Sequence, residues 1–182
     1  MKGIVFTELL ELVEQKFGSN TVDDIIEAAD LPSGGAYTAV GTYHHEEILS
    51  LVSELSSASQ IEVPTLVRIF GQHLFGRFLA GYPIFFEGVS STFDFLETVE
   101  GHIHVEVRKL YPDAELPSFT CQRIPPNHFE MVYRSKRPFA DLAEGLIYAC
   151  TEHFGESISI QRESLVEETG HVVRFLLTRN DE

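Results

Sequence analysis

Residues 93–111 read FDFLETVEGHIHVEVRKLY and run directly into Pro112. The stretch is expected to be a helix. Ser91 or Thr92 can cap its start, Asp94 and Glu97 put acid in the first turns, and Arg108 and Lys109 put base in the last, as the helix dipole favours. Pro112 stops it. Phe95, Leu96, Val99, Ile103, Val107 and Leu110 recur at three- and four-residue steps and should form a buried stripe. His102 and His104 stand two residues apart, which on a helix turns their side chains about 200° from one another. They cannot chelate one ion together, so at most one of them faces a pocket. The plain alternative is two ordinary polar residues on a partly solvated helix.

The chain before this helix is helical in pattern. Helices are expected over 4–17, closed by Gly18, and from a capping box at Thr21-Val22-Asp23-Asp24 through Ala29, broken by Pro32-Ser33-Gly34-Gly35. Two more are expected over 46–58 and 63–79, the second with Pro64 in its first turn, where a missing N–H does no harm. Gly81-Tyr82-Pro83 then makes a loop. After Pro112 the texture changes. Residues 118–123 and 129–133 are strand-like on either side of Pro125-Pro126-Asn127-His128 and suggest a hairpin. A helix over 138–154 follows, then strands at 157–161 and 172–177 joined through a loop ending at Gly170. The expected class is α+β: a helical N-terminal part packed with a C-terminal antiparallel sheet and helix, with no internal repeat and no linker of biased composition.

At 182 residues and 43% hydrophobic, with 14 Phe and 6 Tyr, the chain can bury a substantial core as one domain. Its 28 acidic against 13 basic residues, net −15, repel phosphate backbones and anionic lipid, so neither nucleic acid nor membrane is an expected partner. No run approaches the roughly 20 apolar residues of a membrane span. Acidic residues interrupt what would be a signal-peptide core in the N-terminal MKGIVFTELLELVEQKFG, so the cytoplasm is expected. Cys121 and Cys150 form neither a CxxC pair nor a disulfide framework and read as reduced, structural thiols. His44-His45-Glu46-Glu47 lacks HExxH spacing and reads as a solvated helix start.

A second chemical signal is Tyr133-Arg134-Ser135-Lys136-Arg137. On an extended segment Tyr133, Ser135 and Arg137 share a face while Arg134 and Lys136 point away. One guanidinium fork and two hydroxyls suit a carboxylate or a phosphate. A polar strand edge with routine surface charge is the bland counterpart.

Taken together these pieces resemble the H-NOX family, the haem nitric oxide/oxygen binding domains that include the haem domain of soluble guanylate cyclase. The family's Tyr-x-Ser-x-Arg motif stands complete at Tyr133, Ser135 and Arg137. Its haem-ligating histidine lies seven residues before an aromatic residue ahead of a proline-containing segment. His104 stands seven before Tyr111 and Pro112, and His102 is two residues out of register. Leu116-Pro117-Ser118-Phe119-Thr120-Cys121, Met1-Lys2-Gly3 and the Phe70-Gly71 pair are similar as well, so the resemblance covers nearly the whole chain. It implies a single domain over 1–182, with an N-terminal helical subdomain at 1–62 and a C-terminal haem-ligating subdomain at 63–182. Haem b (iron protoporphyrin IX) would lie buried between them. His104 would hold the iron, Tyr133, Ser135 and Arg137 the propionates, and Pro117 would press on the ring. Val5, Leu74, Phe78, Leu142 and Leu146 would line the pocket. Unpaired buried propionates would cost several kcal/mol, which gives such a clamp its purpose.

The resemblance further implies a gas sensor rather than an enzyme. Oxygen-binding members carry a Tyr five residues after the motif's Arg, and that position here is Leu142, which has no donor. Nitric oxide and carbon monoxide are therefore the expected ligands, with oxygen excluded. In the family nitric oxide weakens or breaks the bond from iron to the histidine, which would let the haem relax against Pro117. Some bacterial relatives have a zinc site of cysteines and a histidine; with two cysteines in the chain, none is expected. The sequence runs to Glu182 without a cyclase or kinase domain, so a monomer acting on a separate signalling protein is expected. In bacterial relatives that partner is commonly a histidine kinase or a cyclic-di-GMP enzyme. Three other readings stay open. An oxygen-binding haem sensor would need another distal donor, such as Tyr148 or His73. A peroxidase-type enzyme would need distal acid/base groups, for which His73 is the obvious upstream helix histidine, without the usual adjacent Arg. A haem-free module would use the same clamp for a carboxylate ligand, with His104 as a polar core residue.

Overall fold

The computed structural model describes residues 1–166 and 170–180. Four helices, Gly3–Phe17 (α1), Ser19–Ala28 (α2), Glu46–Ser59 (α3) and Val63–Gly81 (α4), follow the periodicities of the first third of the chain. One boundary differs. Thr21 does not cap α2, because Gly18 adopts a positive φ of 91° and lets the new helix start at once. Thr21 lies inside that helix, and its hydroxyl donates to the Phe17 carbonyl at 3.0 Å. The apolar stripes of α1, α3 and α4 meet in one core built on Phe6, Leu9, Leu51, Val52, Phe70 and Leu74.

The strands Ser118–Ile124 (β1), His128–Ser135 (β2), Ile158–Leu165 (β3) and His171–Arg179 (β4) pair antiparallel in the order β1-β2-β4-β3. Residues 167–169 of the expected β3–β4 loop lie outside the described residues. Register sets the inner face. Phe129 opposes Leu177, Met131 opposes Phe175 and Tyr133 opposes Val173, so alternate side chains of β2 and β4 form one buried layer. The helix Ala140–His153 (α7) places Ala143, Ile147 and Cys150 in the same core. Thr92–Thr98 (α5) and His104–Leu110 (α6) complete the set. Among the described residues no helix is long and apolar enough to cross a membrane.

Helices α4 and α7 touch along their backbones. A Cβ at Gly71 would stand 2.4 Å from the Leu142 carbonyl oxygen, and one at Gly145 would stand 2.1 Å from that of Arg68. Glycine is required at both positions because no side-chain atom fits between the helices. The crossing is reinforced at its rim, where Arg68 reaches Asp141 at 3.2 Å and Arg162 of β3 reaches Glu144 at 3.0 Å. Gly145→Ala should therefore lower stability by about 1–3 kcal/mol, as overpacking does. Gly76→Ala, where an added Cβ meets nothing within 4 Å, should instead stabilise by about 0.5–1 kcal/mol. Urea unfolding of the two variants checks the contrast.

Candidate functional site

Ser91 caps α5 as expected, its hydroxyl accepting from the Asp94 amide at 3.2 Å. The helix does not run on evenly. A π-helical turn, Val99–Ile103, joins α5 to α6 without a break. Such a turn adds one residue, about 100° of rotation, to everything after it. His104 thereby takes the inward position that an even helix would give Ile103. The apolar stripe changes accordingly: Phe95 and Leu96 are buried, Val99, Ile103 and Val107 are half-buried, and Leu110, expected inside, is 62% exposed. His104 is 9% exposed, while His102 lies at the surface with its ring 5.8 Å from that of Phe85.

Three groups converge on one carboxylate beside His104. Glu100 Oε2 lies 3.0 Å from His104 Nδ1 and accepts the Phe119 amide of β1 at 3.1 Å, while its Oε1 accepts from Arg108 at 3.2 Å. The His104 ring also packs on Phe119, centroid to centroid 5.7 Å. Burial pushes the imidazole below its ordinary pKa, opposed by the Glu100 hydrogen bond. Burial thus favours the uncharged ring, the form that ligates metal. Burial alone would raise the Glu100 carboxyl, but the bonds from His104, Phe119 and Arg108 outweigh it and hold the group below the usual carboxylate value. Sequence reasoning missed Glu100, although its i, i+4 spacing to His104 was legible.

The expected extended face of Tyr133, Ser135 and Arg137 is corrected. β2 ends at Ser135, and the chain bends before Arg137. The three still meet, through local bonds: the Arg137 amide donates to Ser135 Oγ at 3.0 Å, and the Tyr133 hydroxyl, on a residue 1% exposed, donates to the Arg137 carbonyl at 2.9 Å. Lys136 is exposed. The Arg137 guanidinium, 14% exposed, grips the carboxylate of Glu115 and also reaches the Glu115 carbonyl at 3.4 Å. The motif is thus set to hold a carboxylate, the chemistry of a haem propionate. Half-buried Pro117 sits between Glu115 and Phe119 at the head of β1.

A small apolar cavity of about 10 Å³ lies next to this clamp, since the Phe139 amide donates to the Arg137 carbonyl at 3.0 Å and Phe139 lines the cavity with Met1, Val5, Val52, Phe70 and Leu142. Of the expected lining, Val5 and Leu142 are on its walls. Leu74, Phe78 and Leu146 pack into the same apolar cluster but are not on the walls. Phe139 was missed, though an apolar residue two places after the motif was the available signal. His73 is tied to Glu8 at 3.0 Å, which also holds Arg77. Contacts therefore run unbroken from His104 through Phe119, Tyr133 and Arg137 to the cavity.

A family model described as Haem-NO-binding matches residues 2–162. An Fe(II) unliganded H-NOX protein from K. algicida is 39% identical, with a TM-score of 0.92 over 100% of this chain and 98% of that one. The H-NOX protein from Shewanella woodyi, solved with IWP-051 bound in the Fe(II)CO ligation state, is 46% identical, with a TM-score of 0.83 over 99% of this chain and 95% of its own. An H-NOX protein from S. oneidensis in the Fe(II)NO ligation state superposes with a TM-score of 0.89 over 100% of both chains; at 24% identity it speaks for the fold alone. Comparison with curated proteins gives no match.

The thiols stand apart from this chemistry. Burial pushes Cys121 up to about 11 and Cys150 up to about 12, and Cys121 donates to the Leu96 carbonyl at 3.8 Å. A thiol raised this far is almost wholly protonated at pH 8 and reacts slowly. Alkylation of Cys121 in the folded protein at pH 8 should run roughly a hundredfold slower than in urea, and Cys150 slower still. Mass spectrometry of timed iodoacetamide reactions reads both rates.

Proposed function

The chain belongs to the haem-NO-binding family of haem gas-sensor domains, and on that premise we propose that it binds haem b between His104 and the apolar cavity, senses nitric oxide and carbon monoxide, excludes oxygen, and signals to a separate protein. One observation carries the reading: a buried histidine and an arginine clamp already holding a carboxylate are joined through Phe119, whose ring packs on His104 and on Tyr133 of the clamp. His104 has its Nδ1 engaged by Glu100, so Nε2 is the nitrogen offered to iron. Arg137, with the Tyr133 and Ser135 hydroxyls, takes the propionates, and Glu115 gives way to them. Pro117 bears on the ring. Val5 and Leu142 on the small cavity, with Leu74, Phe78 and Leu146 packed in the same cluster, would form the apolar side of the haem site. Residues 63–182 carry the ligating groups, and residues 1–62 cover them.

Held by His104 and the Tyr133, Ser135 and Arg137 clamp, haem would supply a ferrous iron able to bind a diatomic gas. Oxygen gains about 1–3 kcal/mol from a donor in the pocket where charge develops, and nitric oxide and carbon monoxide bind without that help. Leu142 lines the cavity and offers no donor. Carbon monoxide binding is supported by the S. woodyi relative, and nitric oxide by the family's own description. In this reading the protein is a cytoplasmic monomer whose partner is of the histidine kinase or cyclic-di-GMP enzyme class. A shift of α6 relative to β1 is the change a partner would read.

The visible spectrum tests the whole reading. Purified protein should carry an intense Soret band; after reduction that band should move with nitric oxide or carbon monoxide and stay unchanged in air. Leu142→Tyr should make the reduced spectrum respond to oxygen. No Soret band would return the protein to a carboxylate-binding module, and an oxygen response in the parent would send the search to Tyr148 or His73. For the clamp, breaking a buried ion pair costs about 3–5 kcal/mol, so Arg137→Ala should speed haem loss to apomyoglobin at least tenfold. Lys136→Ala, at an exposed position, should leave that rate within a factor of two or so.

A further inference from the structure

The Glu100 carboxylate is held from three directions: by His104 on its own helix, by Arg108 one turn further on, and by the Phe119 amide across the gap to β1. That amide belongs to an edge strand, whose outward N–H groups have no neighbouring strand to pair with. Glu100 supplies the missing acceptor and is anchored to the sheet as well as to the helix. Its histidine partner, at 9% exposed, sets this carboxylate apart from the surface ion pairs of the same helix. A carboxylate on one ring nitrogen fixes the tautomer and orientation of the ring and makes the other nitrogen a stronger donor to metal.

We infer that Glu100 is a positioning residue for the axial ligand: it fixes Nε2 of His104 toward the cofactor and sets how strongly the imidazole donates to iron, with Arg108 moderating it. The inference rests on the reading that His104 holds haem iron. Glu100 pulls on the Nδ1 proton and gives the ring anionic character, which strengthens the axial bond and favours ferric over ferrous iron. Arg108, 44% exposed, draws on the other oxygen of the same carboxylate and weakens that pull. The two side chains thus act in opposite directions on one bond. Their balance would set how strongly His104 holds the iron.

The experiment is resonance Raman spectroscopy of the iron–histidine stretch in the reduced, gas-free holoprotein, together with the haem reduction potential. Glu100→Gln keeps the size of the side chain and an oxygen for the Phe119 amide. It should move the stretch to lower frequency and the potential upward while haem content holds. Arg108→Ala leaves Glu100 in place and should move both quantities the other way. Glu100→Ala, which also removes the acceptor, should raise the rate of haem loss roughly tenfold or more. If Glu100→Gln and Arg108→Ala both keep the parent's stretch and potential, Glu100 is a structural tie only and the inference fails. His104→Gly separates that failure from failure of the reading beneath it. An iron–histidine band that survives in His104→Gly, or is missing from the parent, would show that His104 is not the ligand.

Discussion

Phe119 touches His104 on one side and Tyr133 on the other, and its amide is spoken for by Glu100. This residue joins the helix that carries the histidine to the strand pair that carries the clamp. Its place comes from register. Phe119 opposes Tyr133 across β1 and β2, and Tyr133 opposes Val173 across β2 and β4, so one row of the sheet ends at the histidine. A slip of one residue would turn the whole row outward. The spacing between the Phe119 and Tyr133 contacts is therefore fixed by the pleat of a sheet, while Arg137 is reached through the bend that follows Ser135.

The other side of the site depends on two glycines. Gly71 and Gly145 bring α4 and α7 into backbone contact, which seats Leu142 beside α4 and draws Phe139 over the end of the clamp. Both apolar cores use this crossing: α4 gives Phe70 and Leu74 to one and Phe75 to the other. Packing at this density transmits displacement well. A shift at the histidine helix has a continuous path of close contacts into the N-terminal helices.

Charge is distributed to the same end. The chain is strongly acidic overall, yet several cations stand where they neutralise particular carboxylates: half-buried Arg68 and exposed Arg162 at the helix crossing, half-buried Arg137 at the clamp. Glu115 gives Arg137 a carboxylate partner within the chain. A guanidinium without any anion would be costly at that depth, so the clamp stays folded and ready for a carboxylate of other origin.

Local spacing made much of this legible. Most helix bounds, the antiparallel hairpin and the rule that only one of His102 and His104 can face inward follow from periodicity and residue type over a few positions, whereas the choice of His104 and the grouping of Tyr133, Ser135 and Arg137 as a propionate clamp came from the family resemblance. Ser91 as the cap and the strands through Phe129 and Val172 needed nothing more. Other features depended on atoms distant in the chain. The π-helical turn substitutes one backbone bond for another and leaves almost no mark in composition, so Leu110 was expected inside. The bend after Ser135 is held by side-chain bonds that an alternation rule does not contain. Glu100 could be paired with His104 by counting, but its bond to Phe119 spans 19 positions, and that of Arg137 to Glu115 spans 22. Sequence determines which residues have the right chemistry, because that resides in the side chain and its near neighbours; only tertiary packing decides which donor meets which acceptor, because that depends on where the sheet register and the glycine crossing bring distant backbone together.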